Sequence, residues 1–118
     1  MSNVQIWHNP RCSKSRNAVA LLEEEGIDSE VIKYLDVPPT SAEITGLLKM
    51  LGLSSARELM RTKEEIYKEL KLQDENDETK LITAMVENPR LIERPIVIKD
   101  GKAVIGRPIE NIIELIKG

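Results

Sequence analysis

The 118-residue sequence has one cysteine, one histidine, no phenylalanine and only 3% aromatic residues. Each scarcity excludes something. One cysteine cannot close an internal disulfide, which suits a reducing compartment, so a cytoplasmic location is expected. So few aromatics leave no platform for stacking bases. The formal charge of −3, from 17 basic and 20 acidic residues, gives no general pull toward nucleic acid or an anionic membrane. No apolar run approaches the length needed to span a bilayer, and the N-terminus lacks the apolar segment of a signal peptide. No metal site is expected. Apolar residues still make up 41% of the chain, enough for a globular core. No repeat and no long linker divides it, so residues 1–118 are expected to form a single domain.

The lone cysteine and the lone histidine lie four positions apart, in His8-Asn9-Pro10-Arg11-Cys12-Ser13-Lys14-Ser15-Arg16. Before this stretch, Val4-Gln5-Ile6-Trp7 reads as a short strand. After it, Ala18, Val19, Leu21 and Leu22 have the spacing of an amphipathic helix. Pro10 cannot continue a strand ladder, so the chain turns there. Cys12 is therefore expected at the N-terminus of the first helix, partly exposed, where unpaired N–H groups and partial positive charge favour a thiolate. Arg11, Lys14 and Arg16 add formal charge. Such a place can also bind an oxyanion. A lone cysteine is often only a small buried hydrophobe, but no aliphatic residue lies between Trp7 and Ala18, and three cations flank this one. Ser13 and Ser15 can donate hydroxyls to an anion or simply cap the helix.

Glu23-Glu24-Glu25 reads as a solvated face and Gly26 as a helix stop. Residues 30–35 read as a second strand, which suggests a parallel βαβ unit. Thr40 with Glu43 has the capping-box pattern, and Ile44, Leu47, Leu48 and Leu51 predict a helix to about Gly52. Ser55 with Glu58 and Thr62 with Glu65 repeat the signature, predicting short helices at 57–60 and 63–70. Arg61 falls between them, either solvated or turned toward a site. Residues 73–77 read as a loop, and 78–87 as a helix with Leu81, Ile82 and Met85 inward. Residues 96–98 and 103–105 read as strands joined at Asp100-Gly101, a strong hairpin signal. Pro108 suits position N1 of a last helix whose stripe is Ile109, Ile112, Ile113 and Ile116. A helical block over about 40–92 is thus inserted between the halves of a four-stranded mixed sheet.

The cysteine stretch resembles the arsenate reductase (ArsC) family that works with glutathione and glutaredoxin, a branch of the thioredoxin-like α/β fold. His8, Asn9, Pro10, Cys12 and Ser15 match its pattern His-Asn-Pro-x-Cys-x-x-Ser. The element order is the one that fold requires. The resemblance implies a cis proline at Pro95 beside the cysteine. It implies three oxyanion-binding arginines, at Arg61, Arg94 and Arg107. It also implies arsenate as substrate, Cys12 as nucleophile, glutathione as co-substrate, glutaredoxin as partner, no bound cofactor, and a monomer. A single cysteine cannot resolve its own adduct, so an external thiol is chemically needed. His8 tunes Cys12 if protonated, or holds the loop by hydrogen bonds.

Two other readings compete. One is a glutathione-dependent thiol reductase without arsenate activity, against which the three arginines stand. The other is a redox regulator of transcription like the Spx proteins. These often carry Cys-x-x-Cys here; this chain has Ser15 in the last position, so no internal redox switch can form.

Overall fold

The computed structural model describes residues 4–117. They fall into two compact units, one joining the residues up to Val37 with those from Arg94 onward, the other comprising Pro38–Glu93.

The first unit carries the sheet. Its strands are β1 (Val4–Trp7), β2 (Ser29–Ile32), β3 (Ile96–Lys99) and β4 (Lys102–Ile105), in the order β2-β1-β3-β4. β1 and β2 run parallel, with Val4 opposite Ser29. β3 is antiparallel to both β1 and β4, so the sheet is mixed. Helix α1 (Ser13–Glu24) supplies the crossover between β1 and β2. Its buried Ala18 and Leu22 join Val4, Ile6, Val97 and Ile112 in one apolar cluster. Glu23, Glu24 and Glu25 are exposed, and Gly26 ends the helix in the left-handed region at φ +69°, where a Cβ would be strained. Asp100 and Gly101 both have positive φ, as a two-residue hairpin that follows the strand twist requires.

Two expectations for this unit need correction. β2 stops at Ile32 rather than 35, because Asp36 and Val37 donate their N–H groups back to the Lys33 carbonyl and the chain turns. That turn buries Tyr34 against Trp7, ring centroids 6.2 Å apart. The last helix, α5, is Glu110–Lys117, so Pro108 stands ahead of it rather than at N1. The Arg107–Pro108 bond is cis, and single turns from Asn111 N–H to Pro108 O and from Ile112 N–H to Ile109 O lead into the helix. The inward stripe of α5 is Ile109, Ile112, Leu115 and Ile116, with Leu115 in the place expected for Ile113.

The second unit holds α2 (Ser41–Leu51), α3 (Glu65–Glu69) and α4 (Glu78–Glu87), with 3-10 turns at Ala56–Leu59, Leu72–Asp74 and Pro89–Leu91. The Thr40 box forms in full: Thr40 Oγ1 accepts from Glu43 N–H at 3.1 Å and Thr40 N–H donates to Glu43 Oε1 at 3.0 Å. The Thr62 box does not. α3 begins at Glu65, because Glu64 N–H donates to Arg61 O and the Glu64 carboxylate pairs with the Arg61 guanidinium. The expected loop at 73–77 is partly a 3-10 turn held by Arg57. That guanidinium donates to Leu72 O at 2.8 Å, and to Glu75 O and Tyr67 Oη, while lying 5.9 Å from the Tyr67 ring centroid. Among the described residues, no helix is long and apolar enough to cross a membrane.

Arg57 thus ties α3 to the turn after it through partners that no neutral side chain can replace. Arg57→Ala is expected to lower the unfolding free energy by about 1–3 kcal/mol, since two carbonyls and a phenol lose a charged donor. Urea denaturation checks this. Arg57→Lys should recover only part of the loss, because one ammonium cannot span the same acceptors.

Candidate active site

Cys12 is the N-cap of α1, with extended backbone (φ −98°, ψ 122°), and its carbonyl accepts the first helical bond, from Arg16 N–H. The turn that delivers it is built by Asn9, whose carbonyl accepts from Cys12 N–H at 3.0 Å and whose side chain accepts from Arg11 N–H at 3.0 Å. Arg16 fastens the loop through Nη1 to the Pro10 carbonyl, 2.9 Å. One of the three flanking cations is therefore a structural strut as well as a charge.

Beneath the loop, Ser15 is fully buried. Its Oγ lies 2.7 Å from His8 Nδ1 and accepts from Asn9 N–H at 3.0 Å. Burial, then the charges of Lys33 and Arg16, hold the ring below the ordinary histidine value, which favours the neutral form that meets Ser15.

Two arginines reach this end of the unit from its C-terminal half. Arg107 Nη2 is 3.5 Å from Cys12 Sγ, and its Nε donates to Arg94 O at 2.8 Å. Arg94 is half-buried, and its Nε is buried with no partner among the described residues. Pro95 is buried and the Arg94–Pro95 bond is cis. Gly106 permits the close approach: a Cβ there would lie 2.9 Å from Pro95 Cγ and 2.7 Å from Ile112 Cδ1. Sequence reading missed the need for Gly106; no local pattern distinguishes a glycine needed for tertiary crowding.

The thiol is more enclosed than expected, at 8% exposure. Burial raises its pKa. The Ser15 N–H, the Arg94 guanidinium (by hydrogen bond and by charge) and the Lys14 N–H lower it by more, and the thiol ends below its ordinary value. The two N–H groups act by facing the sulfur, without forming a full capping hydrogen bond. Arg107 makes the direct contact but is exposed, so solvent screens its charge and Arg94 is the stronger electrostatic partner.

His8, Asn9, Cys12, Ser15, Arg94, Pro95 and Arg107 are thus all in the unit that carries the sheet. Arg61 lies in the other unit, half-buried, its guanidinium paired with Glu64 and, at 3.6 Å, with Glu93. Among the described residues no group of three or more His, Cys, Asp or Glu is arranged to hold a metal ion.

Two pH measurements follow. Alkylation of Cys12 by iodoacetamide should titrate with a midpoint below the free-cysteine value of about 8.5, and Arg94→Ala should move that midpoint upward. An unshifted midpoint in the parent protein contradicts the geometry. For His8, the unfolded ring titrates near about 6.5 and the folded ring lower. Between those values the unfolded chain binds more protons, so stability is full above the window and falls as pH drops through it. In a Cys12→Ser background, which removes the thiol's own contribution, denaturation midpoints should fall on acidification below about 6.5. His8→Gln should flatten that slope.

The ArsC family model matches residues 7–115 of the chain. An arsenate reductase of Neisseria meningitidis is 54% identical, covering 95% of this chain and 97% of its own length. An uncharacterized Escherichia coli protein, YfgD, is 56% identical over 96% of both. The solved structure of an arsenate reductase from Vibrio cholerae superimposes with a TM-score of 0.92 at 52% identity, over 94% of this chain and 95% of that one. With its mixed sheet, its thioredoxin-like fold and its family match over nearly the whole length, the chain belongs to the ArsC family.

Proposed function

We propose that this protein is an oxidoreductase that reduces arsenate to arsenite, with Cys12 as nucleophile and glutathione and glutaredoxin as the thiol relay. The observation that carries the reading is the Cys12 thiol, held below its ordinary pKa at a helix N-terminus with Arg107 Nη2 at 3.5 Å. The names of its relatives support the choice of oxyanion.

Arsenate is a tetrahedral anion, and a thiolate approaches its arsenic only if the oxygens are neutralised. Arg94 and Arg107 supply that charge from beside the sulfur. The orphaned Nε of Arg94 is a buried donor in want of an acceptor, and an arsenate oxygen is a fitting one. In the first step Cys12 sulfur bonds to arsenic and one oxygen leaves as water. Glutathione then displaces a second oxygen, again as water. Attack by a glutaredoxin thiol on the glutathione sulfur forms a mixed disulfide and leaves the As–S electron pair on arsenic, reducing it from +5 to +3. Hydrolysis of the Cys12–arsenic bond releases arsenite and restores the thiol. His8, neutral and bonded to Ser15, positions the loop rather than moving protons in these steps. Pro95, behind Arg94, and Asn9, at the turn, are supporting residues. A reducing cytoplasm is the fitting compartment for a single catalytic thiol. The assignment of Arg61 as a third oxyanion ligand rests on the family resemblance alone.

The test is arsenate-dependent NADPH oxidation coupled through glutathione, glutathione reductase and glutaredoxin. Cys12→Ser is expected to abolish turnover. Arg94→Ala or Arg107→Ala should lower kcat/KM for arsenate about 10- to 150-fold, the worth of one charge-assisted contact, with little change in folding stability. Lysine at Arg94 should rescue partly, since it keeps charge and loses the planar fork. Arg61→Ala is measured in the same assay, where an unchanged arsenate KM removes Arg61 from the site. Arginine variants as active as the parent overturn the proposed site. No arsenate-dependent turnover in the parent overturns the substrate.

A further inference from the structure

β4 ends at Ile105 and α5 begins at Glu110, so Arg107 stands in a connection outside regular structure. It is exposed, and a long exposed side chain has much rotamer freedom to lose. Yet its Nη2 lies 3.5 Å from Cys12 Sγ, and its Nε is held on Arg94 O at 2.8 Å. A side chain that long arrives at one atom only if the backbone it starts from is fixed. On the strand side Gly106 N–H fixes it, donating to Pro95 O at 2.8 Å. On the helix side the tie is the side chain of Asn111, the second residue of α5. Its Nδ2 donates to Ile105 O at 3.0 Å and to Arg107 O at 3.5 Å. All of these residues belong to the unit that carries the sheet.

The direction of these bonds is informative. The first turn of a helix has N–H groups in want of acceptors, and a polar side chain there usually supplies one. Asn111 does the opposite: its amide donates, and it donates backward to two carbonyls that precede the helix. An amide has two N–H donors, which suits two acceptors. Its main-chain N–H is used separately, on Pro108 O at 3.1 Å. The side chain therefore serves the connection rather than the helix, and it closes that connection around Arg107. Arg107 is also not one of the groups that lower the thiol's pKa, which are Arg94 and the Ser15 and Lys14 N–H groups. Its charge is offered to whatever anion comes to the sulfur.

We infer that Asn111 is a positioning residue for Arg107: its amide holds the turn from which the guanidinium reaches the Cys12 sulfur and meets an anion there. For arsenate the inference rests on the reading proposed above, and losing the tie weakens arsenate use through Arg107. For the charge around the sulfur it stands without that reading.

The experiment compares alkylation of Cys12 by iodoacetate, an anion, with alkylation by neutral iodoacetamide, in the full chain at low salt. The ratio of the two rates reads the positive charge at the sulfur without arsenate. Arg107→Ala should lower that ratio about 3- to 5-fold, the effect of one unit charge at contact range in water. Asn111→Leu keeps the shape without the donors and should lower it about 2- to 4-fold, less than loss of the charge itself. The Arg107→Ala/Asn111→Leu double variant should match Arg107→Ala alone, because the two residues act as one unit. Asn111→Ser is at ease in a first helical turn but too short to reach Ile105 O, and it should behave like the leucine variant. Asn111→Gln retains the amide and should restore part of the ratio. In all three single variants at 111 the iodoacetamide midpoint should stay at the parent value. In the coupled assay Asn111→Leu should raise the KM for arsenate, no further than Arg107→Ala does. A lowered ratio without arsenate turnover in the parent upholds the positioning role and overturns the arsenate reading only. An unchanged ratio in both the leucine and serine variants, a moved midpoint, or a double variant that loses more than Arg107→Ala alone overturns the inference.

Discussion

Cys12 stands between two opposing electrostatic demands, and the fold around it is arranged to let the weaker-looking one win. Burial favours the neutral thiol. Against it act two N–H groups of the first helical turn and one half-buried guanidinium, and together they prevail. None of these donors works alone. The N–H groups face the sulfur only because Asn9 turns the chain and Ser15 clamps the loop to His8. Arg94 reaches it because β3 pairs antiparallel to β1, with Ile96 opposite Trp7, so the residues before β3 arrive at the same end of the sheet as the residues after β1. Sheet register and thiol chemistry are in this sense one constraint.

The structural roles of the loop's polar residues follow from that constraint. A buried neutral histidine lowers the local cost of carrying so much positive charge: were His8 protonated, it would add a third cation beside Lys33 and Arg16 in a partly dry place. Arg16 spends its donor on a backbone carbonyl. The division leaves Arg94 and Arg107 as the cations that meet the sulfur, both from the far end of the chain.

Much of this was legible in the residues, and the losses have physical causes. Local signals held where the chain itself supplies the partner: the Thr40 and Glu43 box, the Gly26 stop, the Asp100-Gly101 hairpin and Cys12 as N-cap all depend on residues within a few positions. Signals failed where another partner outbid the expected one. Glu64 pairs with Arg61 and stands at the N-cap of α3 in place of Thr62, so the Thr62–Glu65 box does not form. Lys33 O collects two N–H groups and Tyr34 stacks on Trp7, so the second strand is shorter than its apolar run. Arg57 organises a turn through carbonyls 15 and 18 residues away, partners that no local pattern shows. The cysteine loop was readable from its own sequence; the orphaned Nε of Arg94 and the need for glycine at 106 are properties of the packed unit and could not be.

The net charge of −3 says little about what meets the thiol. Acidic residues such as Glu23, Glu24 and Glu25 sit at the opposite, C-terminal end of α1 from Cys12, one helix length away. At 1.5 Å per residue that is roughly 18 Å, about two Debye lengths at physiological salt. Their charge is therefore screened before it reaches the sulfur, while Arg94 and Arg107 act at contact range. An acidic protein thus presents a locally positive, partly dry thiol, and the helix that separates the two charges also aligns its dipole to favour the anion at the cysteine end. The acidic triplet opposes that same dipole at its other end. Its cost falls on the exposed C-terminal turn, where water screens it, and not on the site.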